Sequence, residues 1–177
     1  MKHLFTLLAG VCLLALSSVR AAESIHMTID RGGTKIEGEL EGGAIEVLGY
    51  QHEITTPRDP ASGLPTGRRM HRPMSIVKAI DKATPMIHQL FARNSKCDEI
   101  ILKFWRNDPK TGKKTQYYTI SMKDCFIIEV RDWKPNARDL SADRAGDLQE
   151  VMFTYKEITW TYGEGGPTFT DSTAPSA

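Results

Sequence analysis

Two alternating runs joined by a short polar turn constrain this chain most. Over residues 97–106, Ile100, Leu102 and Phe104 alternate with Ile101, Lys103 and Trp105. Residues 116–122 run back after Asn107-Asp108-Pro109-Lys110-Thr111-Gly112. A period of two places successive side chains on opposite faces of a strand, and a turn containing Pro and Gly between such runs predicts an antiparallel hairpin. The same period recurs over residues 25–30 (Ile25, Met27, Ile29), 34–40, 45–54, 73–80, 125–130, 148–155 and 158–162. Met74, Ile76 and Ile80 are the burial candidates of one strand, and Phe126, Ile128 and Val130 share one face of another. Arg31-Gly32-Gly33 reads as a tight turn and Gly42-Gly43 as a break. Glu37, Glu39 and Glu41 read as the solvated face of an edge strand.

Only one helix is expected. Thr84 fits an N-cap and Pro85 the first helical position, where its missing N–H costs nothing. Ile87, Leu90 and Phe91 then fall at i, i+3 and i+4, and Asn94-Ser95 ends the run. A helix this short does not stand alone in water, so it must dock on the sheet. A chain of 177 residues with 40% hydrophobic content suits one core. The expected fold is mainly β: an antiparallel β-barrel or sandwich of about seven to eight strands with one short flanking α-helix.

The N-terminus carries a different signal. Lys2 and His3 precede an apolar run over residues 4–16, and Val19 and Ala21 occupy the small-residue positions of a cleavage site. That layout predicts a secretory signal peptide over residues 1–21, and the run is too short to span a bilayer. Cys12 lies inside the apolar run, which fits lipidation poorly. The domain layout is therefore residues 1–21 as leader, 22–162 as the β domain, and 163–177 as a small, polar tail expected to fray. Removing the leader takes Lys2 and Arg20 and no acidic side chain from a chain of formal charge +1. The mature protein stays near neutral, which argues against nucleic acid held by an overall field. No later apolar run is long enough to cross a membrane.

Two cysteines follow the leader, Cys97 and Cys125, and an oxidising compartment permits a disulfide. A hairpin turn centred near residue 111 sets Arg106 opposite Gln116 and Cys97 opposite Cys125. The two cysteines are either bridged or small buried apolar residues. Residues 55–71 form the longest loop, in which Pro57, Pro60, Gly63, Pro65 and Gly67 sit among Arg58, Asp59, Arg68 and Arg69 before His71. Loops this long in compact domains are usually functional. A second polar loop over residues 132–147 includes Arg138, Asp139, Asp143 and Arg144.

No residue pattern in the chain marks a chemical site. His26, His52, His71 and His88 lack metal-ligand spacing. Ser75-Ile76-Val77-Lys78 matches S-x-x-K, but it lies in a strand, where the Lys cannot sit over the Ser as it does on a helix. No nucleophile elbow, phosphate loop or dinucleotide fingerprint occurs. Trp105, Trp133 and Trp160 could line a sugar or peptide site, but the strand setting of Trp105 and Trp160 favours core or subunit contact. No catalytic residue, metal or cofactor is expected.

The residues do resemble a known family. Ser62-Gly63-Leu64-Pro65-Thr66-Gly67-Arg68-Arg69-Met70-His71-Arg72-Pro73, followed by Val77-Lys78-Ala79-Ile80-Asp81-Lys82-Ala83-Thr84-Pro85, is similar to the loop, strand and helix start of the haemolysin-coregulated protein (Hcp) family. These are tube subunits of the bacterial type VI secretion system. Residues 43–52 and 155–162 resemble the family's early and closing strands. The resemblance implies a barrel with one flanking helix and six copies closing into a ring. It also implies rings stacked into a hollow tube that carries effectors, sheath and spike proteins as partners, and no enzymatic activity. It places Arg58, Asp59, Arg68, Arg69 and His71 at the contact between subunits, since ring closure needs heterologous contacts and charge gives them specificity. The leader departs from this family, whose members assemble in the cytoplasm. It leaves a second reading, a secreted ring-forming binding protein acting outside the injection machine.

Overall fold

The computed structural model describes residues 23–136 and 146–173. Its first half contains β1 (Ser24–Arg31), β2 (Thr34–Ile36), β3 (Ile45–Val47), β4 (Gly49–Gln51), β5 (Ile54–Thr55), β6 (Met70–His71) and β7 (Met74–Ala79). Helix α1 (Thr84–Ala92) follows, then β8 (Cys97–Asn107), β9 (Lys114–Trp133), β10 (Leu148–Thr154), β11 (Glu157–Tyr162) and β12 (Thr168–Ser172). All the pairings are antiparallel, as the period-two pattern requires. The predicted mainly-β architecture with one docked helix is what forms. The twelve strands among the described residues exceed the seven or eight expected because several are only two or three residues long.

β9 organises the sheets. Its first half lies between β8 and β11, and its second half pairs with β10, which leads on to β7 and β4. Met27, Ile29, Ile76, Ile100, Leu102, Ile120, Met122 and Phe153 point inward at no more than 1% exposure. α1 closes the core with Ile87 and Leu90 and packs beside β9.

Strict alternation fails where the backbone bends. Phe104 faces Tyr118 but Trp105 faces Gln116, so Tyr117 is an extra residue and Arg106 faces Thr115 rather than Gln116. Further along, Phe153 faces Ile127 while Met152 faces Glu129, which leaves Ile128 as a bulge. A bulge shifts the inward set by one. Before the bulge Ile127 is buried in step with Cys125, Ile128 at the bulge is 44% exposed against expectation, and Val130 beyond it packs against the core. Ile80 and Phe91 are also exposed, at 46% and 41%.

Four other expectations change. The strand expected over 34–40 stops at Ile36, because β3 takes over the edge of β1 from Met27, and Gly38 lies so close to the next segment that a Cβ would meet Ala44 O at 2.3 Å. Glu41 consequently enters a short 3-10 turn, with Gly42 and Gly43 at positive φ. The run over 45–54 splits, since β3 pairs with β1 and β4 with β7 as the chain crosses between sheets at Leu48. Thr84 is not the N-cap; Ala83 holds that position, and Thr84 Oγ1 accepts from Asp81 N at 3.2 Å and Lys78 Nζ at 3.0 Å. Finally, the tail expected to fray contains β12. Threonines pair across it (Thr159 with Thr170, Thr161 with Thr168), Phe169 stacks on Trp160 at 5.9 Å, and Asp171 is buried.

Candidate functional site

The long loop is an arm with its own internal structure. β5 and β6 form its base in a separate two-stranded sheet, and Arg58 bridges Pro65 above it. Asp59 N donates to Leu64 O and Gly63 N returns a bond to Asp59 O, both at 2.9 Å. Asp59 Oδ1 accepts from Ser62 N at 2.7 Å, Ser62 Oγ at 2.8 Å and Ala61 N at 3.1 Å. Those bonds with Ser62 hold its carboxyl below the usual aspartate range. Gly63 turns the tip at φ 70°, a conformation that excludes most side chains. Arg58 Nη1 donates to Gly63 O across this turn. Arg68 is exposed on the returning limb.

A polar chain fastens the base of the arm to the barrel. His52 Nε2 lies 2.5 Å from Tyr155 Oη, and His71 Nδ1 lies 3.0 Å from the same oxygen. On its other side, His71 Nε2 faces Asp171 Oδ2 at 3.1 Å, and Arg69 Nη2 donates to Asp171 Oδ1 at 2.5 Å. A single hydroxyl has one proton, so between two neutral imidazoles Tyr155 Oη donates to one ring nitrogen and accepts from the other, which ties His52 to His71. Burial, and then Asp171, push the Tyr155 phenol upward, so it serves as a fixed donor. Arg69 and His71, expected at a subunit contact, thus grip their own chain, whereas Arg58 and Asp59 shape the tip. A cavity of about 250 Å³ lies beside this base, lined by His71, Arg72, Pro73, Thr154, Tyr155 and Thr173.

The network makes stability depend on pH. Burial, and then the neighbouring His71, lower the pKa of His52 below its ordinary value. The unfolded chain protonates near pH ~6.5 while the folded one resists, so stability is full above that pH and falls with acidification below it. The melting temperature should therefore drop between pH 7 and pH 5, and His52→Gln should flatten the drop. Equal pH profiles for the two proteins would remove His52 as the cause.

Sequence reasoning did not find this cluster, because His52, Tyr155 and Asp171 share no motif or spacing. The remaining candidates fall elsewhere. Ser75 Oγ donates to Glu150 Oε1 and Lys78 is buried away from it, so the S-x-x-K match makes no site. No group of three metal-ligating side chains occurs among the described residues. Trp105 and Trp160 are half-buried, while Trp133 is 40% exposed. Arg138, Asp139, Asp143 and Arg144, and the leader over 1–21, lie outside the described residues. An aromatic face at the end of the barrel was also missed. Tyr50 packs on Phe104 at 5.0 Å, and the Arg106 guanidinium sits 4.3 Å over the Tyr117 ring while donating to Tyr162 Oη.

Among the described residues the fold is a strand-rich barrel with one helix and a structured arm. A protein-family model described as "Type VI secretion system effector, Hcp" matches residues 26–162, from β1 through β11. The chain belongs to the Hcp family. The "Major exported protein" of Pseudomonas aeruginosa is 34% identical over 140 residues, covering 79% of this chain and 80% of that protein. Among solved structures, one described as a crystal structure of Hcp protein superposes with a TM-score of 0.79 at 21% identity, covering 88% of this chain and all of the other. The Hcp1 protein of an E. coli pathovar gives 0.74 at 24% identity over 85% of this chain and 99% of its own. The secreted Hcp3 protein of P. aeruginosa gives 0.69 at 23% over 87% and 100%. This Hcp is a secreted structural protein of the type VI secretion system, a tube component. No helix among the described residues is long and apolar enough to cross a membrane.

Proposed function

We propose that this Hcp closes into rings of six copies that stack into a hollow tube carrying effectors, working with sheath and spike proteins and performing no catalysis itself. The family match running unbroken from β1 to β11, with the arm inside it, carries this reading. The arm then reaches a neighbouring copy through Arg58, Asp59 and Arg68, while Arg69 and His71 hold its base against Asp171. Native mass spectrometry of the purified protein should give the mass of six chains. Arg68→Glu should weaken ring association by roughly tenfold at low salt and less at high salt, as expected for an exposed charge at a contact. An unchanged hexamer would remove the arm's charges from the interface. A monomer at high concentration would overturn the ring itself.

The leader-like segment favours export of the mature chain through a signal peptide. Intact mass spectrometry of the protein recovered from each compartment of the host tests it. A form beginning near Ala22 supports cleavage; one retaining Met1 means the segment is not used as a leader.

A further inference from the structure

Cys97 and Cys125 are register partners across the β8–β9 hairpin. They pair beyond a local irregularity: Glu99 faces Lys123, Asp98 and Asp124 fall out of the ladder, and Asp124 adopts φ 51°. Inward-facing positions change parity on both strands there, from Ile100 to Cys97 and from Met122 to Cys125. Both cysteines therefore point into the core, each at 0% exposure, and both are free thiols. Facing residues of antiparallel strands hold their Cα atoms roughly 4.5–5.5 Å apart, inside the range a disulfide spans.

We propose that Cys97 and Cys125 form an intrachain disulfide when the chain folds in an oxidising compartment, and stay a buried dithiol when it folds in a reducing one. The oxidant is a small disulfide or a dithiol oxidase in its disulfide form. One cysteine thiolate attacks it, releasing a donor thiol and leaving a mixed disulfide. The second cysteine then displaces the remaining donor thiol as the Sγ–Sγ bond forms. Two protein thiols are oxidised, one donor disulfide is reduced, and the protons remain on the released thiols.

The timing follows from burial. Desolvation pushes the Cys97 thiol up to about 11 and the Cys125 thiol up to about 12, so the folded protein offers almost no thiolate and no path to it. Exchange must occur before the hairpin closes. The redox state at folding is then retained, whatever route the protein later takes.

The test refolds the unfolded full chain with oxidised glutathione and, in parallel, with a reductant. Cleavage after Lys and Arg places the cysteines in separate peptides, 97–103 and 124–131. The oxidised sample should yield these two peptides linked, separable by reduction, with a melting temperature about 5–10 °C higher for a loop of about 29 residues. A Cys12→Ser variant should behave identically. Protein folded under reductant should stay reduced for hours when the oxidant is added afterwards. The proposal fails if both peptides remain alkylatable after oxidative refolding, or if linkage occurs only to Cys12. Rapid oxidation of the folded dithiol would overturn the retained state. The same peptide map on protein made in reducing and oxidising expression hosts gives the answer without refolding.

Discussion

Replacing Asp81 by alanine is expected to cost about 3–5 kcal/mol and to lower the melting temperature by roughly 10 °C. Lys78 projects inward from β7 and is completely buried. Its Nζ donates to Ala79 O at 2.6 Å, Asp81 Oδ1 at 2.7 Å and Thr84 Oγ1 at 3.0 Å. Asp81, with a side chain 9% exposed, also accepts from Ala83 N at 2.9 Å. This knot joins the end of β7 to the first turn of α1. Without the carboxylate, a buried ammonium keeps only neutral acceptors, which is where the large cost arises. A Lys78→Met/Asp81→Leu double variant should lose less than Asp81→Ala, because no unpaired charge remains. Urea unfolding at constant m-value measures both. If Asp81→Ala stayed within 1 kcal/mol of the parent, water would have to reach Lys78, and the pair would not be buried in solution.

That knot shows what the sequence made legible and what it did not. The stretch from Val77 to Pro85 carried the family resemblance, yet its physical purpose was hidden, since a lysine in an alternating strand reads as a solvated residue. The central hairpin was legible because Ile100, Leu102 and Phe104 bury on strict period two, and so was Cys97 opposite Cys125. Ile128 was not, because a bulge leaves no mark on composition and one extra residue reverses every face beyond it. β12 was misread as tail since its Thr-Phe-Thr-Asp-Ser run is polar; it forms by pairing with β11 rather than by burying an apolar stripe. The arm was placed correctly as a long loop. Its anchorage was invisible, because Tyr155 and Asp171 lie 84 and more residues away from His71 and meet it only through the fold.

Phe153→Ala should produce the second large loss, about 3–5 kcal/mol, with Phe153→Leu well below it. Phe153 is fully buried in β10, opposite Met74 on β7 and Ile127 on β9. It stands at the β9 bulge, so its ring lies where the core changes register, and a truncated side chain leaves a space that the bent strand cannot close by sliding. The effect should extend beyond stability. Two residues later Tyr155 points inward and holds His52 and His71 at the base of the arm. Loosening β10 should therefore increase hydrogen exchange in β6 as well as in the core, whereas Ile128→Ala, on the exposed side of the same bulge, should change neither by much. A large stability loss without increased exchange at Met70 and His71 would show that the arm is held independently of the core.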